Sequence, residues 1–176
     1  MKRGIFVVAE LAGAVREKVL AVQRWADPKL SRGSPPHITL VGSSGVGPIP
    51  PDTPVERLRA LVEPITSSTP PITVRFGAPM RFMQTDIIVL PIDPHGPLRT
   101  LHERIATSGL TFPHARFPFS PHSTLSFFPT LTPPMERRLL RVRVNEPVVV
   151  DRIQFYLTMD PQPGRKLLEL RLDGGE

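Results

Sequence analysis

A five-residue pattern occurs twice in this chain, and its recurrence limits the fold more than any other feature. Pro36-His37-Ile38-Thr39-Leu40 lies in the first half and Pro121-His122-Ser123-Thr124-Leu125 in the second, and both read Pro-His-x-Thr-Leu. The two histidines stand 85 positions apart (37 and 122) in a chain of 176 residues, close to half its length. The elements around them recur in the same order. Strand-forming residues at 5–10 are echoed by 86–92, and a helical spacing over 11–25 by another over 97–108. The motif strands follow, the first over 37–42. Helices are then predicted over 54–66 and 133–144, with Thr53 as the cap of the former. Strands over 72–83, broken near Gly77-Ala78-Pro79, and over 148–159 complete the two copies. A turn at Gln84-Thr85 ends the first copy. A turn over 160–164 and a last strand over 166–172 end the second. A duplicated β-α-β-α-β unit is too short an array for a solenoid. It favours an α+β protein of two lobes, with approximate repeats 1–85 and 86–176.

The motif itself has a physical reading. Isoleucine, leucine, valine and phenylalanine around each copy are strand formers. On a strand, residues two apart share a face. His37 and Thr39 therefore point one way, as do His122 and Thr124, while Ile38 and Leu40 point into a core. Ser123 takes the place of Ile38 in the second copy, so its rear face is less apolar. If the two strands meet across a groove, two imidazoles and two hydroxyls converge on a site suited to a phosphate. The hydroxyls donate to non-bridging oxygens. One neutral imidazole takes a proton from water, and one imidazolium gives a proton to the leaving oxygen. Histidine suits both tasks because its ordinary pKa is about 6.5.

Composition narrows the chemistry further. The chain has no cysteine, which excludes disulfides, thiolate zinc sites and cysteine nucleophiles. No run of about 18 apolar residues is present. Glu10 interrupts the apolar start, which therefore reads as a first strand and not as a signal peptide. A cytoplasmic protein fits these features. The net charge of +6 favours polyanionic partners such as RNA.

Two His-x-Thr-Leu motifs half a chain apart, in a repeat of this order and size, resemble the 2H phosphoesterase superfamily. More narrowly, the chain is similar to bacterial members of the 2′-5′ RNA ligase family, also called RNA 2′,3′-cyclic phosphodiesterases. The stretches 35–41, 119–125 and 150–157 carry the likeness. The resemblance implies two antiparallel-rich lobes related by a pseudo-two-fold, with helices outside and a central groove. It implies chemistry without a metal or cofactor on 2′,3′-cyclic phosphates or 2′-5′ linkages of RNA or nucleotides, with ligase activity as a reversal. His37 then serves as proton donor and His122 as proton acceptor, with Thr39 and Thr124 on the phosphate. No protein partner or membrane is implied, and a monomer is expected. Two departures stand out. Many relatives carry an arginine just after the second motif, where this chain has Ser126-Phe127-Phe128. The first loop has Gly42-Ser43-Ser44 in place of an aromatic.

Outside the motifs, Arg81, Arg116 and Phe127 are candidate substrate contacts. Phe82, Phe117 and Phe128 are aromatics able to stack on a base or fill a core. Trp25 reads as a core anchor. His95, His102 and His114 lack the motif context and read as structural or surface residues. The alternatives to a cyclic phosphodiesterase are a hydrolase of another cyclic or 2′-5′-linked nucleotide, and an RNA-binding module without catalysis.

Overall fold

Alternation along the first strand sets up the architecture. In β1 (Gly4–Glu10) Ile5, Val7 and Ala9 are buried, while Phe6 and Glu10 on the opposite face are only half-buried. A strand with one apolar face must cover it, and helices do so here. In this computed structural model, which describes residues 3–159 and 162–175, the further elements are α1 (Gly13–Ala26), α2 (Pro28–Gly33), β2 (His37–Val41) and α3 (Val55–Thr66). Then come β3 (Ile72–Val74), β4 (Met80–Arg81), β5 (Ile88–Pro91), α4 (Pro97–Ala106) and β6 (His122–Ser126). The chain closes with α5 (Pro133–Leu140), β7 (Val148–Val150), β8 (Arg152–Met159) and β9 (Gln162–Arg171).

The strands form three antiparallel sheets, with orders β2-β1-β8-β9, β4-β5-β6 and β3-β7. The mixed α+β class and the antiparallel pairing agree with the sequence reading. The sheets do not follow the halves of the chain, however. β8, late in the sequence, pairs with β1, and β4, from the first copy, pairs with β5. The helices cross as well: α1 packs on β6 and α4 on β2. One apolar cluster joins Ile5, Leu40 and Phe155 to Leu90, Leu101 and Leu125.

The duplication is visible residue by residue. Glu10, Ala9 and Val8 pair with His37, Ile38 and Thr39, just as Pro91, Leu90 and Val89 pair with His122, Ser123 and Thr124. Both ladders slip at the same step, between Val7 and Val8 and between Ile88 and Val89. Leu11 N–H donates to the Pro36 carbonyl at 2.9 Å, and Ile92 N–H to the Pro121 carbonyl at 3.0 Å.

Several local expectations need correction. Thr53 does not cap α3: its hydroxyl donates to the Pro50 carbonyl at 2.8 Å, and Pro54 occupies the cap position with extended backbone. The strand expected over 72–83 is two short strands, and that over 148–159 is split at Asp151. Trp25 packs against the core as expected but stays half-buried, with the Arg138 guanidinium 3.8 Å from its ring centroid. Asp160 and Pro161, where the last turn was expected to begin, lie outside the described residues. Among the described residues no helix is long and apolar enough to cross a membrane.

Candidate active site

Each motif begins with an X-Pro step, and the backbone there grips the histidine. Proline fixes its own φ and holds the preceding residue extended. The carbonyl before the proline is thereby aimed at the imidazole two residues on. His37 Nδ1 lies 2.8 Å from the Pro35 carbonyl, and His122 Nδ1 lies 2.7 Å from the Ser120 carbonyl. A carbonyl only accepts, so Nδ1 carries the hydrogen in both rings and Nε2 is the basic nitrogen of each neutral form. Both strands then show one burial sequence: histidine half-buried, next residue buried, threonine half-buried, next two buried. His37 and Thr39 thus share the open face of one sheet, and His122 and Thr124 that of the other.

The two motif strands belong to different sheets yet lie against one another. The imidazoles feel each other directly. His122 is held below the ordinary histidine pKa chiefly by burial, and the His37 charge lowers it further, against the Ser120 hydrogen bond. His37 is also lowered by burial, opposed by its bond to Pro35 and by the negative charge of Glu10. A charge on His37 therefore disfavours a second charge on His122. Two imidazoles of this kind are able to give and to take a proton, and a threonine hydroxyl shares the strand face of each.

Around this common frame the two halves differ. Beside His37, the Glu10 carboxylate accepts from the Tyr156 hydroxyl and pairs with Lys166 Nζ at 3.2 Å. The Glu10 N–H donates to Gln154 Oε1 at 2.9 Å, and Gln154 Nε2 donates to Glu169 at 3.1 Å. Burial, with the bond to Glu10, pushes the Tyr156 phenol well above its ordinary range. Beside His122 stands the ring of Phe82, edge-on at 4.9 Å between centroids. Phe82 and Tyr156 are counterparts: one lies two residues beyond Met80, the partner of Val89, and the other two beyond Gln154, the partner of Val8.

Of the residues singled out in the sequence, His37 and Thr39 share one strand face, and His122 and Thr124 the equivalent face of the strand packed against it. Arg81 is turned elsewhere: its guanidinium pairs with Asp86 at 2.6 Å and Glu136 at 3.1 Å, and Glu136 belongs to α5. Arg116 is exposed, 5.4 Å from the ring of its neighbour Phe117. Phe127 lies five residues past His122, about 16 Å along the strand direction. His102 is structural: buried in α4, it stacks on Phe119 at 4.1 Å, and its Nδ1 donates to the Leu40 carbonyl at 2.6 Å. Gln23 mirrors it from α1, donating to the Thr124 carbonyl at 2.9 Å. Each motif strand is braced by a helix from the other half of the chain. Glu10 and Tyr156 escaped the sequence reading. The signal for Glu10 was present in its phase with Phe6 and Val8, on the face that β2 shares. Among the described residues no cluster of three His, Asp or Glu side chains is placed to hold a metal ion.

With this geometry in view, similarity to known proteins becomes informative. The family model described as the 2′-5′ RNA ligase superfamily matches residues 10–160. No curated protein matches the chain in sequence. Among solved structures, TT0787 of Thermus thermophilus is similar over 99% of this chain and 100% of its own, at 20% identity and a TM-score of 0.65. E. coli LigT complexed with 3′-AMP is similar over 97% of this chain and 98% of its own, at 17% identity and a TM-score of 0.62. E. coli LigT complexed with ATP gives 19% identity and a TM-score of 0.59, with 97% of each chain covered. At these identities the likeness speaks for the fold.

Proposed function

This chain belongs to the 2′-5′ RNA ligase superfamily of two-histidine phosphoesterases, and on that premise we propose that it opens 2′,3′-cyclic phosphates on RNA or nucleotides to 2′-phosphates without a metal. The observation that carries the reading is the matched presentation of His37 and His122. Both rings are tied by Nδ1 to a backbone carbonyl, which leaves Nε2 of each as the basic nitrogen, and the strands that carry them pack together. In the proposed step His122 takes a proton from water as the water oxygen bonds to phosphorus. The bond from phosphorus to the 3′ oxygen breaks, and His37 protonates that oxygen. Thr39 and Thr124 donate to the non-bridging oxygens. A 5′-hydroxyl in place of water would yield a 2′-5′ linkage by the same proton transfers, which accounts for ligase activity on this fold. Since each half of the chain contributes one histidine, the two lobes act as a single domain. The complexes of the similar E. coli LigT with 3′-AMP and ATP support a nucleotide ligand.

The test is turnover of a short RNA ending in a 2′,3′-cyclic phosphate with EDTA present, followed by ³¹P NMR. A 2′-phosphate product that vanishes in His37→Ala and in His122→Ala is the expected result. Undiminished activity in both variants would overturn the mechanism. Cleavage of a 2′-5′ oligoadenylate or another cyclic nucleotide, with the RNA untouched, would replace the substrate.

A further inference from the structure

At the far end of β6 from His122, Phe127 and Phe128 stand 43% and 40% exposed, with their rings in edge-to-face contact at 5.0 Å. Single exposed apolar residues are ordinary. This pair is held in place. Asp27, buried to 1% exposure, accepts from the N–H groups of Phe127 and Phe128 at 2.7 and 2.9 Å through Oδ2. Through Oδ1 it accepts from Leu30 N–H at 3.1 Å, which anchors α2. One carboxylate therefore fixes both the ring pair and the helix beside it. That helix carries Lys29, whose Nζ lies 4.1 Å from the centroid of Phe128. On α1 and α5, Trp25 and Arg138 add a second ring with a cation over it.

Exposed rings backed by cations on a rigid support are the means by which proteins hold single-stranded nucleic acid: bases stack on the rings and phosphates meet the cations. The separation fits a strand and not a mononucleotide. Five residues of extended chain, about 16 Å, separate His122 from Phe127, several times the roughly 3.4 Å rise per nucleotide of a stacked strand. Resting on the reading of His37 and His122 as a phosphate site, we propose that Phe127, Phe128 and Lys29 form a platform for the body of a single-stranded RNA whose terminal phosphate lies between the histidines. The preferred substrate is then an oligonucleotide.

The experiment compares a 2′,3′-cyclic mononucleotide with an oligoribonucleotide ending in the same group, in wild type, in Phe127→Ala/Phe128→Ala and in Lys29→Ala. Val149→Ala, at another exposed apolar position (56%), sets the background. The double variant should raise KM for the oligonucleotide about tenfold or more while leaving the mononucleotide constants unchanged. Equal KM values for the two substrates in wild type, or equal effects of the double variant on both, would overturn the platform. Fluorescence anisotropy of a labelled single-stranded RNA with a plain 3′-hydroxyl tests the surface apart from turnover. The double variant should weaken that binding at least tenfold, with near-native circular dichroism. Unchanged binding would overturn the proposal even if the enzyme is active, and weakened binding without turnover would sustain it while the phosphodiesterase reading fell.

Discussion

Opposite His37 on the neighbouring strand stands Glu10; opposite His122, at the same ladder position, stands Pro91. Two residues past equivalent strand partners stand Tyr156 in the first case and Phe82 in the second. Behind the motif, Ile38 and Val41 of the first strand answer to Ser123 and Ser126 of the second. The backbone frame of the duplicated unit is thus conserved between halves, including the slip in each ladder, while the side chains have diverged. The difference teaches how a near-symmetric pair acquires a direction. A carboxylate beside one imidazole favours its charged form, and an apolar ring beside the other favours its neutral form. Burial lowers both histidines, and the charge of Glu10 opposes that at His37 alone, which is the direction the proposed roles of His37 as acid and His122 as base require.

The symmetric part of the comparison predicts the largest effects. His37→Ala and His122→Ala should each lower kcat by about 10²–10⁴-fold, since each removes one proton-transfer group. A loss confined to one of them would break the paired mechanism. Next in size are the braces behind the strands. His102→Ala removes a buried ring and its bond to Leu40, and should destabilise the protein by about 2–4 kcal/mol in urea unfolding. Gln23→Ala removes one hydrogen bond but also an amide oxygen that is buried without a partner among the described residues, so its effect should be smaller. The reverse ranking would refute the view that the first motif strand depends more on its brace.

The asymmetric part is read from pH profiles of kcat/KM. Glu10 raises the His37 pKa, so Glu10→Gln should lower it. As the acid must be protonated, the descending limb at high pH should move to lower pH. A shift of the ascending limb instead would assign His37 as the base. Burial holds the His122 pKa down, and Phe82→Ala admits water beside the ring, so that pKa should rise. As the base must be neutral, the ascending limb at low pH should move to higher pH. Both variants narrow the active range, from opposite sides. The smallest effect belongs to the rear face. Ser126 is fully buried, and its hydroxyl has no partner among the described residues. Ser126→Ala should be neutral or stabilising by at most about 1 kcal/mol, measured as a denaturant midpoint. Clear destabilisation would show that the serine does more than occupy the valine's place.

Much of this was legible in the chain. Period-two alternation depends only on residue type, so β1, β2, β5 and β6 and the outward face of both His-x-Thr pairs were readable directly. The proline before each histidine carried the orientation of the ring, because it fixes the backbone that bonds Nδ1. Less legible were features that depend on distant partners. Arg81 and Arg116 look alike as sequence, yet only Arg81 finds Asp86 and Glu136 around it. Nothing local to Asp27 signals its role, because the amides of Phe127 and Phe128 that it clamps are a hundred residues away.

By itself, the sequence determined a duplicated strand-helix order, two histidines on strand faces, and a basic chain without cysteine. These follow from covalent order and local backbone preference. Tertiary structure alone decided the exchange of β4 and β8 between sheets, the crossing of α1 and α4 beneath the opposite motif strands, and the placing of Glu10 and Tyr156 near one histidine and Phe82 near the other. Those outcomes come from burying apolar faces and satisfying polar groups across long chain separations, and no local pattern encodes which distant partner will do so.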